Sequence, residues 1–273
     1  MTATTIAIRP AERPAGRIAT GVEVTKRTVR KYVRSPQLIV VGTIQGAMFL
    51  LIFRYVFGGA INGAGLSYVN FLVPGFVVTT VLFVGAGASA GVAEDVEQGF
   101  VDRLRSLPIT RISAVMGRAL ADTATLVWAL AITTAIGFAV GFRLEGHASA
   151  AFGAFGLAVL YGFAFAWVFI CIGLFAGNAQ AAQGMSLLVF PLTFVSSAYV
   201  PVGTMPSWMR GIANNQPITV MTNAARALTQ GGAVTAHLGH STAYFVVVSL
   251  IWAGALVLVF APIAVWRYSR VNA

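Results

Sequence analysis

The sequence predicts an all-α integral membrane protein with six transmembrane helices, and three observations carry that prediction. Of 273 residues, 58% are apolar and 10% charged, against roughly 45–50% and about 25% in soluble domains. Apolar runs recur that are long enough to cross a hydrocarbon core about 30 Å thick, which takes about 20 helical residues. The charges are also segregated: 14 of the 18 basic residues lie in segments 1–36, 94–120 and 267–273, and five of the eight acidic residues lie in 94–122. That segregation argues against nucleic acid as the meaning of the net charge of +10, because the cations flank apolar runs.

Residues 1–16, rich in Thr, Ala, Pro and Arg without periodicity, read as a disordered tail. No signal peptide is expected, since the first long apolar run starts only after Gln37. Over 17–35 the residues Ile18, Val22, Val29 and Val33 share one helical face, while Lys26, Arg27, Arg30, Lys31 and Arg34 cover much of the rest. Such a basic amphipathic helix suits the anionic inner leaflet or a protein partner. Ser35–Pro36 then reads as an N-cap and first helical residue opening a new helix.

The six spans are expected at about 37–57, 69–93, 113–141, 149–176, 181–198 and 243–266. The first holds Gln45, Met48 and, near its outer end, Arg54, whose charge can snorkel or meet an anionic ligand. The second carries Pro74 and ends in a small-residue run where Gly87 and Gly91 would admit a neighbouring helix. Arg118 and Asp122, one turn apart at the start of the third, read as a structural ion pair, with proton relay the alternative. The polar tetrapeptide Gly177–Gln180 divides the fourth span from the fifth, which contains Pro191. Residues 199–241 are too polar and proline-broken to span, and read as a hairpin of short helices on or in the outer leaflet. Six spans put both termini on one side, and the positive-inside rule makes that side cytoplasmic, together with the island at 94–112.

Catalytic chemistry is not visible. The two lysines, Lys26 and Lys31, do not follow a phosphate-cradling glycine loop. His147, His237 and His240 fall in outer segments without the acidic or cysteine neighbours of a metal site, and Cys171 reads as a small core residue. The expectation is a chain that is not an enzyme and binds no metal or cofactor.

Two stretches carry a resemblance. Glu94, Glu97, Gly99, Arg103, Leu104, Leu107 and Pro108 follow a pattern of an acidic pair, a glycine, an Arg-Leu and a proline leading into a span. The string from 191 to 228 places Pro191, Ser196, Pro201, Pro206, Trp208, Asn215, Pro217 and Arg226 in a second pattern. In both, the chain resembles the membrane subunit of a type-2 ABC exporter, in the group of daunorubicin-resistance and polysaccharide or teichoic-acid export permeases.

The resemblance implies two ATPase subunits that bind ATP and magnesium, a second permease copy, identical or paralogous, membrane lipids around the assembly and a bacterial plasma-membrane location. It makes the island a coupling helix docking in the ATPase. Asp95, Asp102 and Arg103 would supply polar contacts there, with Leu104 and Leu107 as apolar anchors. It lines the substrate path with the first, second and fifth spans, for which the candidates are Gln45, Met48, Phe76, Thr79, Phe83, Phe190, Thr193, Phe194 and Ser197. It makes the hairpin bearing Pro201, Pro206, Trp208, Asn215, Pro217 and Arg226 an outer gate. The cargo expected is a hydrophobic drug or metabolite, with a lipid-linked glycan, an ion-gradient-driven transporter or a membrane-embedded enzyme as alternatives.

Overall fold

The computed structural model describes residues 48–58, 67–105 and 110–270, with only the backbone of Asp102, Leu104, Arg105, Gly232 and Ala233. The expected tail 1–16, the amphipathic helix 17–35, Gln45, Leu107 and Pro108 lie outside these residues. Helix α1 is described over Met48–Phe57, the last part of the expected first span. It widens over Phe53–Phe57 into i→i−5 winding.

Four helices are long and apolar enough to cross a membrane: α2 (Tyr68–Glu97), α4 (Arg111–Ala139), α5 (Ala148–Phe175) and α11 (Thr242–Arg270). At 1.5 Å per residue each is about 42–45 Å long, which exceeds the hydrocarbon core and takes the ends into the headgroup layers. Their starts follow local chemistry. The Ser67 side chain accepts from the Asn70 amide at α2, and Thr110 caps α4 by accepting from the Ser113 amide. Pro74 lies in the second turn of α2, which runs on through it as one helix.

Between α2 and α4, Gly99 takes φ +66° and turns the chain into the six-residue helix α3 (Phe100–Arg105). This left-handed residue closes α2, its amide donating to the Val96 carbonyl at 3.0 Å. The segment expected as a fifth span is not one α-helix. Asn178 caps α6 (Ala179–Leu187), the chain tightens into i→i−3 turns over Leu188, Val189 and Phe190, and α7 (Pro191–Phe194) follows. The reason is Pro191, which donates no hydrogen bond and whose ring crowds the carbonyl four residues earlier.

Residues 199–241 fold as a 3₁₀ turn (Val202–Thr204), α8 (Ser207–Asn215), α9 (Pro217–Gln230) and α10 (Gly232–Leu238). Short helices are present where a hairpin on or in the outer leaflet was expected, and α9 is buried among the long helices. Twelve of its residues are buried, and it packs against α2, α5 and α11. Only α8 stands out, with Trp208 74% and Ile212 62% exposed.

Helices α2 and α5 form the centre, each 78% buried over its apolar window, while α4 and α11 turn apolar faces outward. Val247, Leu250, Ile251, Leu258 and Val259 of α11 are exposed, as suits a helix facing lipid. Of the two glycines of α2 expected to admit a neighbouring helix, Gly87 has nothing within 4 Å of where a Cβ would sit, whereas at Gly91 a Cβ would lie 2.8 Å from Arg118 Nη2 of α4. A close backbone approach falls at Gly75, where a Cβ would strike the carbonyl of Ala198. Gly75→Val is expected to lower the unfolding midpoint in detergent, reflecting about 1–3 kcal/mol of overpacking. Gly87→Ala should leave it unchanged or slightly higher in the same fluorescence-monitored melt.

Candidate functional site

An aromatic wall joins α1, α2 and the broken segment that follows α6. Phe76 and Phe83, two turns apart on α2, share a face with Thr79. Phe83 meets Phe190 edge to face at 4.7 Å and Phe49 at 6.3 Å. Phe53 stacks on Tyr199 at 4.9 Å and meets the edge of Phe76 at 6.0 Å. Tyr199 also lies 5.3 Å from Phe76 and 5.5 Å from Phe194. These separations fall in the range that aromatic pairs prefer.

One polar node sits inside the wall. The Tyr199 hydroxyl lies against the hydroxyls of Thr79 and Thr193. Those threonine hydroxyls also donate to their own helices, Thr79 to the Phe76 carbonyl at 3.2 Å and Thr193 to that of Phe190 at 2.7 Å.

The candidate path residues therefore divide. Phe76, Thr79, Thr193 and Ser197 are buried, Phe83 and Phe190 are half-buried, and Met48 and Phe194 are open at 51% and 59%. Sequence reasoning missed Phe49, Phe53 and Tyr199. The first two were findable, because Phe49, Phe53 and Phe57 recur at spacing four and so share a helical face. Tyr199 had no such signal, since it follows an irregular turn.

The wall is held by Arg226, one of the hairpin candidates, which lies inside the fold. It is 0% exposed. Its Nε donates to the Phe71 carbonyl at 2.8 Å, and Nη2 donates to the carbonyls of Ser197 at 2.6 Å and Ala198 at 3.1 Å. Nη1 reaches Ser197 Oγ and Asn223 Oδ1, both at 3.1 Å. The guanidinium also lies 3.6 Å from the centre of the Phe71 ring. A second tie lies close by, with the Ser197 amide donating to Thr219 Oγ1 at 3.0 Å. Thus α9 fixes the backbone next to Tyr199 and fastens it to the N-terminal end of α2.

The loop between α4 and α5 fastens the other end of α9. Gln230 Nε2 donates to the Arg143 carbonyl at 3.1 Å, and the amides of Glu145 and Gly146 donate to the Thr229 carbonyl at 3.2 and 3.0 Å. Asn70 closes this ring of bonds, donating to Glu145 Oε1 at 2.9 Å and accepting from the Arg143 amide at 3.1 Å. Of the other hairpin candidates, Trp208 and Asn215 are exposed on α8, Pro206 precedes it, Pro201 precedes the 3₁₀ turn and Pro217 opens α9.

At the opposite end, Glu94 and Glu97 belong to the last turn of α2, and Glu97 and Arg103 are exposed. Asp95, expected to offer its charge outward, is instead buried and binds Arg118 Nη1 at 2.7 Å. Arg118 Nε also holds Asp122 at 3.0 and 3.1 Å. Among the described residues no group of three His, Cys, Asp or Glu side chains is placed to hold a metal ion. His147, His237 and His240 are exposed, and the buried Cys171 donates to the Phe260 carbonyl at 3.3 Å.

The sequence profile of the family described as ABC-2 type transporter matches residues 22–229, and so takes in the wall, the island and nearly all of α9. The chain belongs to the ABC-2 type transporter family. Among ABC-2 relatives, it is 32% identical over 267 residues to the daunorubicin resistance ABC transporter permease protein DrrB1 of Streptomyces coeruleorubidus, covering 96% of this chain and 91% of that one. A protein of Mycobacterium tuberculosis named as a doxorubicin resistance ABC transporter permease, DrrC, is 22% identical over 88% of this chain and 85% of its own. One of Pyropia yezoensis named as a transport permease, ycf38, is 27% identical over 74% and 71%. Membership in the ABC-2 family and the apolar helices make this a multi-pass membrane transporter subunit.

Arg226→Lys tests the clamp. An ammonium presents its three donors from one point and cannot serve acceptors spread over three elements. Hydrogen bonds to charged groups contribute about 1.5–3 kcal/mol each, so removing one or two should lower stability by about 2–4 kcal/mol in a detergent melt. Arg210→Lys on the exposed helix α8 should change it little.

Proposed function

We propose that this chain is the permease of an ATP-driven exporter that moves a hydrophobic or amphipathic small molecule, a drug or metabolite, out of a bacterial cell. The observation that carries the reading is the aromatic wall. It offers ring faces and edges with a single hydroxyl node, a chemistry that takes up flat apolar cargo and turns one polar group of it toward Tyr199. Open edges at Met48 and Phe194 would face a second permease copy, the two walls enclosing the path. The family and the names of the relatives support an exporter, and the names of two of them refer to resistance to daunorubicin and to doxorubicin.

In this reading the chain crosses the membrane six times, with the segment 37–57 and the broken segment 179–198 as spans and both termini in the cytoplasm. Two separate ATPase subunits supply the energy, with ATP and magnesium bound on them. They dock on α3 and the residues that follow, through Glu97, Asp102, Arg103, Leu104, Leu107 and Pro108. ATP closes the ATPases, and their closure biases the spans toward the outward-open state, since nucleotide binds one state better than the other.

The test is co-expression with a candidate ABC ATPase subunit, copurification, and reconstitution in vesicles with a fluorescent aromatic amine. ATP-dependent movement of the amine is expected only when both subunits are present. Movement by the permease alone, without nucleotide, would overturn the proposal. Within the assembly, Glu97→Arg and Leu104→Arg should leave insertion intact and cut export by roughly 10-fold or more while ATP hydrolysis continues. That size is expected when an anchor at the centre of an interface is removed, at about 1.4 kcal/mol per decade. Phe83→Ala with Phe190→Ala should reduce transport of the amine at unchanged basal ATP hydrolysis.

A further inference from the structure

Arg118 binds more than the partner expected from its own helix. It lies in the second turn of α4, yet two of its bonds end on α2. Nε holds Asp122 one turn further along α4, Nη1 holds Asp95 in the last full turn of α2 at 2.7 Å, and Nη2 donates to the main-chain carbonyl of Ala88, two turns back on α2, at 3.0 Å. Gly91 makes the reach possible: a Cβ there would sit 2.8 Å from Nη2. The side chains are withdrawn from solvent, with 11% of Arg118, 11% of Asp95 and 3% of Asp122 exposed.

The geometry differs from an apolar helix contact in what it resists. Packed aliphatic side chains let two helices slide or turn by small amounts at little cost. A planar guanidinium fixed at three corners, to a side chain and a backbone carbonyl on α2 and to a carboxylate on α4, fixes both axial position and rotation. The Asp95 anchor lies within one turn of Glu97 and directly before the Gly99 turn into α3. A displacement of the island therefore reaches α2 and α4 together.

We propose that Arg118 is the positioning residue that makes the cytoplasmic end of α2 and the start of α4 a single lever, so that the push of the ATPase on the island is delivered to two spans. This rests on the proposed function above. Coupling of this kind travels through a packed network with two arrangements, and both sites must bias it.

The test uses the full permease–ATPase complex in nanodiscs and reads two quantities. The first is aromatic amine exported per ATP hydrolysed. Arg118→Lys keeps the charge but cannot hold both carboxylates and the Ala88 carbonyl, and should assemble, hydrolyse ATP and export roughly 2- to 30-fold less per ATP, the span of measured coupling effects. Asp95→Asn, which keeps the side-chain shape and the Arg118–Asp122 pair, should shift the ratio in the same direction, and serves if Arg118→Lys does not fold. The second is the distance between spin labels at the exposed positions Gln98 and Leu120. It should stay constant between nucleotide-free and ATP-bound wild-type complex, and should broaden or shift with ATP in either variant. An unchanged export ratio with an unchanged label distance in both variants would reduce Arg118 to a packing role and overturn the proposal. Failure of the wild-type complex to couple ATP to export would instead remove the functional reading itself.

Discussion

A guanidinium sealed from solvent with neutral groups as its hydrogen-bond partners is the constraint on which the rest of this structure depends. Burying a charge is costly, and hydrogen-bonding every donor lowers that cost; Arg226 places its five donors on acceptors of α2, of the segment after α7 and of its own helix. None of the three elements can leave without stranding the charge. The arrangement brings the Ala198 carbonyl over Gly75 and sets Tyr199 between Phe53 and Phe76. The wall follows from the clamp.

The four long helices were legible because apolar length and capping chemistry are local. Ser67 and Thr110 mark two of their starts, which follow from neighbouring residues alone. Helix α9 misled for an equally physical reason. Thr219, Asn223, Arg226 and Gln230 look like a solvent face in sequence, yet the structure uses them inward, to satisfy carbonyls and amides of irregular backbone. In a membrane such backbone has little water to turn to, so polar side chains on a buried helix replace it. A hydropathy pattern cannot distinguish a residue facing water from one standing in for water.

The candidate site was legible by halves. Phe76, Thr79 and Phe83 share a face by spacing, and Phe190 and Phe194 stand out as rings in the fifth apolar run, but how the two groups meet depends on the chain tightening before Pro191. Asp95 shows the converse. Among four charges within nine residues it has the look of surface, and only the tertiary approach of α4 turns it toward Arg118. Both arginines at these nodes work through planar, multidentate contact, which suits a chain with sixteen arginines and two lysines.

Three of the five hydrogen bonds made by Arg226 end on main-chain carbonyls, those of Phe71, Ser197 and Ala198. Every amino acid supplies that acceptor, so at Ala198 and Phe71 the hydrogen bond itself does not read the side chain. The frame at these two positions therefore rests on backbone geometry, and a ring of the wall can be exchanged without removing any of the five bonds that hold it.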